Sequence, residues 1–282
     1  MLLGLAAGKI GDLVFYRDGG EQRTRTRVIP RNPRTSAQQA QRSKIANASA
    51  MYRLLSAILA DSFVSRPSNQ SGFNAYSQLA IPTSPYMTRS MAAADCVLPQ
   101  PAVISKGTLQ AMPSAMAIFQ DDIYVGIFLP GEFTSASTVG AVAAALIERY
   151  STLSAGDILT FAMVEFRAQD ATDEGDDVYL GVPSITPFVL DVTSEETLAS
   201  VGMRIDSSIL SPAAYDAYEG GEVLASAVVQ SRVEGDGRLN VTTEILKLTP
   251  AARDVYESYR TAEARDYAVA SYYGGGKSIL RD

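Results

Sequence analysis

Arginine occupies every second position of Arg23-Thr24-Arg25-Thr26-Arg27, and the residues on either side leave this stretch little choice of conformation. Leu13-Val14-Phe15-Tyr16 is rich in β-formers, Asp18-Gly19-Gly20 supplies residues that tolerate positive φ, and residues 22–29 form a second strand-like run. Together they predict a β-hairpin. A repeat of two places Arg23, Arg25 and Arg27 on one face and Thr24, Thr26 and Val28 on the other, with successive arginines about 6.6 Å apart. Like charges in such a row repel one another unless an anionic surface lies opposite. Pro30 and Pro33 then hold the link through Arg31 and Arg34 extended, because each proline also restricts the residue before it. The expected result is an arm that reaches outward.

Charge is divided along the chain in the same way. Residues 1–54 carry ten Lys and Arg against Asp12, Asp18 and Glu21, whereas the other 228 residues carry 14 basic and 28 acidic groups. A cationic arm is therefore joined to an anionic body. Its destination is either nucleic acid or the acidic surface of a neighbouring subunit. At 282 residues, with 46% hydrophobic and 20% charged side chains, the body has ample material for a buried core.

The residue inventory closes off much of catalysis. There is no histidine, which removes Ser/His/Asp and Cys/His machinery and the usual zinc ligands. Cys96 is the single cysteine, so no intramolecular disulfide can form; it reads as a small apolar core residue. Gly274-Gly275-Gly276-Lys277-Ser278 imitates the end of a phosphate-binding loop, but Ser271 stands where the first glycine belongs. Asp170, Asp173, Glu174, Asp176 and Asp177 crowd around Gly175, yet Thr172 and Gly181 occupy positions where a calcium loop needs acids. That segment reads as a solvated acidic loop able to receive an arginine-rich neighbour. No nucleophile elbow or GxGxxG is present. The expectation is a chain that is not an enzyme and binds no metal or cofactor. A hydrolase built on two carboxylates brought together in space is a third-ranked alternative. The opening apolar run is too short for a secretory signal, and no run is long enough to span a bilayer, so a soluble protein without membrane contact is expected.

After the link, Thr35 and Gln38 form a capping box for a helix running to residue 59. Ile45, Ala48, Tyr52, Leu55 and Leu59, widened by Met51, Leu54 and Ile58, supply its apolar stripe, with Arg42 outside it. A short helix over residues 72–79 is expected to stop before Pro82. Beyond Pro99 and Pro101 strands dominate, at 115–119, 123–129, 158–166, 178–182, 188–192, 224–233 and 239–246, with helices at 137–150 and from 250 to 259 or beyond. The fold class expected is α+β: an N-terminal β-hairpin arm and helices, followed by a largely antiparallel β-rich body with a few helices. The segments are 1–34 (arm and link), 35–98 (helical) and 99–282 (β-rich, with a possible division near 193). Tyr256, Tyr259, Tyr267, Tyr272 and Tyr273 accompany Arg253, Arg260 and Arg265, a mixture suited to core packing, interfaces or base stacking.

Four strings carry a resemblance to a known group. They are Gly8-Lys9-Ile10-Gly11-Asp12-Leu13-Val14-Phe15-Tyr16, the hairpin's Arg-Thr-Arg, Asn32-Pro33-Arg34-Thr35-Ser36-Ala37-Gln38 with Gln41-Arg42, and Gln70-Ser71-Gly72-Phe73-Asn74-Ala75-Tyr76. Together they resemble uncharacterised virion structural proteins of Bacteroidetes and their tailed phages, including crAss-like ones, and a related Bacteroidetes family of unknown function. The resemblance covers about the first 80 residues well and the rest patchily. It implies a bacteriophage structural protein of the capsid, head-to-tail connector or tail, assembled in the host cytoplasm into the virion. Partners would be copies of itself, forming a homo-oligomer, or other virion proteins. The interaction residues expected on the arm are Arg17, Arg23, Arg25, Arg27, Arg31, Arg34 and Arg42, and their acceptors are the acids at 170–177. The alternative is a virion-associated protein that binds nucleic acid through the same arm.

Overall fold

The computed structural model describes residues 8–18, 21–28, 34–111, 115–119, 122–172, 175–206, 208–214, 218–219 and 223–273. The chain is α+β. It opens with three short strands, β1 (Gly8–Ile10), β2 (Leu13–Asp18) and β3 (Glu21–Thr26), which form an antiparallel sheet of their own. Four helices follow: α1 (Ser36–Leu54), α2 (Ser56–Leu59), α3 (Gly72–Thr83) and α4 (Arg89–Ala93). Next come β4 (Val103–Ser105), β5 (Ala115–Phe119), β6 (Asp122–Phe128), α5 (Val139–Arg149), β7 (Ile158–Gln169) and β8 (Val178–Val189). The last part holds β9 (Met203–Asp206), β10 (Ile209–Pro212), β11 (Tyr218–Glu219), β12 (Leu224–Val233), β13 (Leu239–Val241), β14 (Glu244–Ile245), β15 (Lys247–Leu248), α6 (Pro250–Ser258) and α7 (Ala262–Ser271).

The body is organised about an antiparallel sheet ordered β13-β12-β7-β8, with β15 also on β12. Strands β7 and β12 pair from Leu224–Glu165 to Ser231–Ile158. Both are buried on both faces, which is why ILTFAMVEF and LASAVVQ read as nearly continuous apolar runs. On one face Ala162, Val164, Phe166, Ala225, Ala227 and Val229 pack with Met51, Leu55, Leu59, Phe63 and Tyr76 of the helical segment. The other face, with Leu159, Phe161, Met163 and Val228, packs with Val142 and Leu146 of α5 and Leu210 of the second sheet, β11-β6-β10-β9 with β5 on β6. The helices at 35–98 thus share a core with the sheet, and the two cores share their central strands.

Helix α1 begins where its cap predicts: the Thr35 hydroxyl accepts from the Gln38 amide at 3.4 Å. Most of the expected apolar stripe is buried, with Ala48, Met51, Leu55, Ile58 and Leu59 in the core, but polar residues share that face and Ile45 does not. Ile45 is 40% exposed, while Gln39, Ser43 and Asn47 are fully buried. The Ser43 hydroxyl donates to the Met87 carbonyl (2.8 Å) and accepts from the Met87 amide (2.7 Å). Asn47 accepts from the Leu98 amide at 2.8 Å and donates to the Leu98 carbonyl at 3.2 Å. Two polar side chains therefore act as clips for passing backbone, satisfying peptide groups in the interior.

Two expected breaks are absent. Pro82 lies inside α3, in its last turn, where one missing intrahelical bond is tolerated. The strands expected at 178–182 and 188–192 are one continuous β8 that accommodates Pro183 and Pro187 because it lies at the sheet edge, where a missing N–H costs no ladder partner. Conversely, the run expected at 239–246 is divided into β13 and β14, with β14 pairing to β4 and not to the main sheet. Between β12 and β13 the Glu234 amide donates to the Arg238 carbonyl at 2.8 Å, closing the turn.

Candidate functional site

The arm is a three-stranded ribbon, one strand more than the hairpin expected. Leu13–Thr26, Val14–Arg25, Phe15–Thr24, Tyr16–Arg23 and Arg17–Gln22 stand opposite one another, and β1 adds Gly8–Phe15, Lys9–Val14 and Ile10–Leu13. The Arg27 amide closes the open end on the Asp12 carbonyl at 2.6 Å. This register sorts the side chains into two unlike faces. One face carries Lys9, Val14, Tyr16, Arg23 and Arg25. The other carries Ile10, Leu13, Phe15, Thr24 and Thr26, together with Arg17 and Gln22.

Neither face has the cover that strands in the body have. Ile10 is 66% exposed, and Leu13, Tyr16 and every residue of β3 are exposed. On the cationic face the Arg25 guanidinium lies 5.6 Å from the centre of the Tyr16 ring, a cation–π contact between diagonal neighbours. Arg23 meets Glu21 at 3.7 Å, but both are exposed, so the pair contributes little. The third strand gives the ribbon more than a bare two-stranded hairpin, while its exposed apolar side chains leave area that a partner could cover. Complete burial of Ile10, Leu13 and Phe15 would each contribute roughly 1.5–3 kcal/mol.

The expected arm residues fall into two groups. Arg17, Arg23, Arg25 and Arg27 belong to the ribbon, whereas Arg34 and Arg42 belong to the base. Arg31 lies outside the described residues. Arg34 has φ +51°, and its carbonyl accepts a hydrogen bond from the Tyr273 hydroxyl, tying the base of the arm to the end of α7. Arg42 donates to Gln39 Oε1 at 3.2 Å on the surface of α1. The neighbouring Lys44 ammonium lies 4.9 Å from the centre of the Tyr86 ring.

The acidic loop differs from the solvated cluster expected. Asp170 and Asp177 are exposed, and Asp173 and Glu174 lie outside the described residues. Asp176 is buried: its Oδ2 accepts from Thr88 Oγ1 at 2.7 Å and from the Ser90 hydroxyl, at the start of α4. It is therefore a structural carboxylate and not a surface acceptor. Tyr259 donates to Asp177 at 3.4 Å, and burial followed by the charge of Asp177 pushes its hydroxyl pKa upward. Burial also raises the Cys96 thiol to about 11, in keeping with an apolar core role. Asp191, Glu195 and Glu196 form a second exposed acidic stretch that the sequence reading passed over, although Glu195-Glu196 was a visible signal. The Thr193 hydroxyl and amide hold Asp191 below the usual carboxylate range.

A buried carboxylate elsewhere is also structural. Asp157, 1% exposed, takes two bonds from Arg232 at 2.7 Å each, one from Gln230 at 2.8 Å and one from the Ser154 amide at 2.8 Å. This clasp ties β12 to the turn that precedes β7. Of the C-terminal tyrosines, Tyr256 is buried and donates to the Thr83 carbonyl at 2.9 Å, and Tyr267 is exposed. The glycine-rich 274–278 segment lies outside the described residues. Among the described residues no helix is long and apolar enough to cross a membrane, and no group of three or more Cys, Asp or Glu is placed to hold a metal ion. Comparison with protein-family models, with curated proteins and with solved structures gives no match to this chain.

Proposed function

We propose that the chain is a non-enzymatic structural subunit of a phage-like particle, in the capsid, the head-to-tail connector or the tail, whose ribbon docks on a neighbouring subunit. The observation that carries this reading is the ribbon itself: three strands whose outer edges pair with no further strand among the described residues, an apolar face on which Ile10 and Leu13 are exposed, and an opposite face where Lys9, Arg23 and Arg25 outnumber Glu21. A partner sheet edge and acidic surface would satisfy all three at once. Asp170, Asp177, Asp191, Glu195 and Glu196 on the anionic body are exposed acceptors of suitable sign. Exposed ion pairs contribute only about 0.2–1 kcal/mol each, so the hold would come from strand pairing and apolar burial, with charge setting register and partner. The resemblance of the first 80 residues to virion proteins supports the particle assignment.

The test is the native mass of the full chain beside that of a chain lacking residues 1–34. The full chain is expected to assemble, and the shortened chain to remain folded and monomeric. A shortened chain that forms the same particles overturns the proposal.

A second reading, a virion-associated nucleic-acid-binding protein, is favoured by one observation: Tyr16 lies among Lys9, Arg23 and Arg25, an aromatic flanked by cations as in single-strand binding surfaces. That reading requires DNA affinity falling steeply with salt. Absence of DNA binding by a peptide of residues 1–54 at low salt removes it.

A further inference from the structure

A cleft of about 680 Å³ lies on the body between the turn at residues 65–70, helix α3 and Lys106. Its size falls within the range of ligand sites, but its walls are unlike those of an apolar pocket. Asn69, Gln70, Asn74 and Gln78 supply four carboxamides, Arg66 and Lys106 supply two cations, and no carboxylate lines it. Asn74 and Gln78 are one turn apart on α3 and so share a face. Arg66 is held in place by donating one guanidinium N–H to the Phe63 carbonyl at 2.8 Å, leaving its other donors for a ligand. Lys106 is exposed and makes no ion pair among the described residues.

We propose that this cleft binds an extended peptide segment bearing carboxylate side chains. A carboxamide presents one acceptor and two donors, which matches the donor and acceptor of a peptide group. The two cations, unopposed by any acid in the lining, select for negative charge. Nucleic acid and sugar ligands are disfavoured by the one aromatic in the lining: Phe63 is 1% exposed and packs edge-on to Tyr76, so it offers no open ring for stacking. The cleft lies on the body, and its ligand chemistry is independent of what the ribbon does.

The probe is a fluorescein-labelled decapeptide of alternating glutamate and serine, titrated into the full chain and followed by anisotropy. Saturable binding is expected, weakened about tenfold or more by Lys106→Glu, which is about 1.4 kcal/mol. The uncharged double variant Asn74→Ala/Gln78→Ala is expected to weaken it severalfold, and replacing glutamate by glutamine in the peptide to abolish it. Because the ribbon is also cationic, the same titration is made on Arg23→Ala/Arg25→Ala, where affinity should be kept. Near-UV circular dichroism checks that each variant is folded; Lys106 and Gln78 are exposed, so their replacement leaves the core intact. The proposal is overturned by the absence of saturable binding or by binding that Lys106→Glu leaves unchanged. Binding lost only with the ribbon arginines, or an oligothymidylate of equal charge that binds as tightly and loses as much with Lys106→Glu, overturns it equally.

Discussion

The ribbon β1–β3 and the central pair β7–β12 are both antiparallel ladders, yet they do opposite things with their side chains. In β7 and β12 both faces are covered, one by the helices at 35–98 and the other by α5 and the second sheet. In the ribbon both faces meet solvent, including an apolar one. Backbone pairing alone therefore does not distinguish a structural strand from an interaction strand. Cover distinguishes them: a ladder buried twice holds a fold together, while a ladder left bare has apolar area and hydrogen-bonding edges still available for a partner.

The largest expected effect tests this contrast directly. Phe161→Ala, at a fully buried position on β7, is expected to lower unfolding free energy by about 3–5 kcal/mol, whereas Ile10→Ala in the ribbon, 66% exposed, should change it by less than about 0.5 kcal/mol. Urea denaturation of both variants measures the difference. A large loss from Ile10→Ala in the monomer would mean that the ribbon belongs to the body's own core.

A smaller effect is expected at the polar clip on α1. Asn47→Ala leaves the Leu98 amide and carbonyl without their side-chain partner in the interior, at a cost of about 1–3 kcal/mol. Exposed Ile45→Ala, on the same helix, should remain near zero despite removing a larger apolar group. Equal losses at the two positions would restore the simple amphipathic reading of α1.

The smallest effect is a slope with pH, confined to the covered region. Cys96 has a folded pKa of about 11, above its unfolded value, and Tyr259 is also raised, in each case chiefly by burial. A raised pKa favours the protonated form in the folded state, so this contribution is complete below the unfolded pKa and declines as pH climbs toward the folded one. The urea midpoint should accordingly fall progressively above about pH 9. Thiol titration under native conditions gives the matching check: Cys96 should stay unreactive toward a thiol reagent at mildly alkaline pH and react on unfolding.

How far these features could be read in advance differed with their physical origin. The hairpin, the Thr35 cap, β12 at 224–233 and α6 from Pro250 follow from local rules of turn chemistry, capping and alternation, and the structure places them there. The third ribbon strand was missed because Gly8–Ile10 is only three residues long and shows no pattern of its own. Pro183 and Pro187 pointed to a break because a sequence does not reveal which strand will be an edge. Asp176 looked like one of five equivalent acids until Thr88 and Ser90, about 90 positions away in the chain, were found on its carboxylate. The cleft is drawn from residues 63–78 and Lys106, which no spacing rule connects.

By itself, the sequence determined the cationic arm: alternating arginines, a turn that accepts positive φ and two prolines are local constraints that act before any long-range contact forms. It equally placed strands at 158–166 and 224–233, where β-formers run together. Only the tertiary structure decided that Ile10 and Leu13 on the arm stay exposed while β7 and β12 are covered on both faces, and that Ser43, Asn47 and Asp176 are buried and not exposed. The reason is that cover and polar satisfaction belong to pairs of segments far apart in the chain, and a residue's own neighbours carry no record of which backbone will pass beside it.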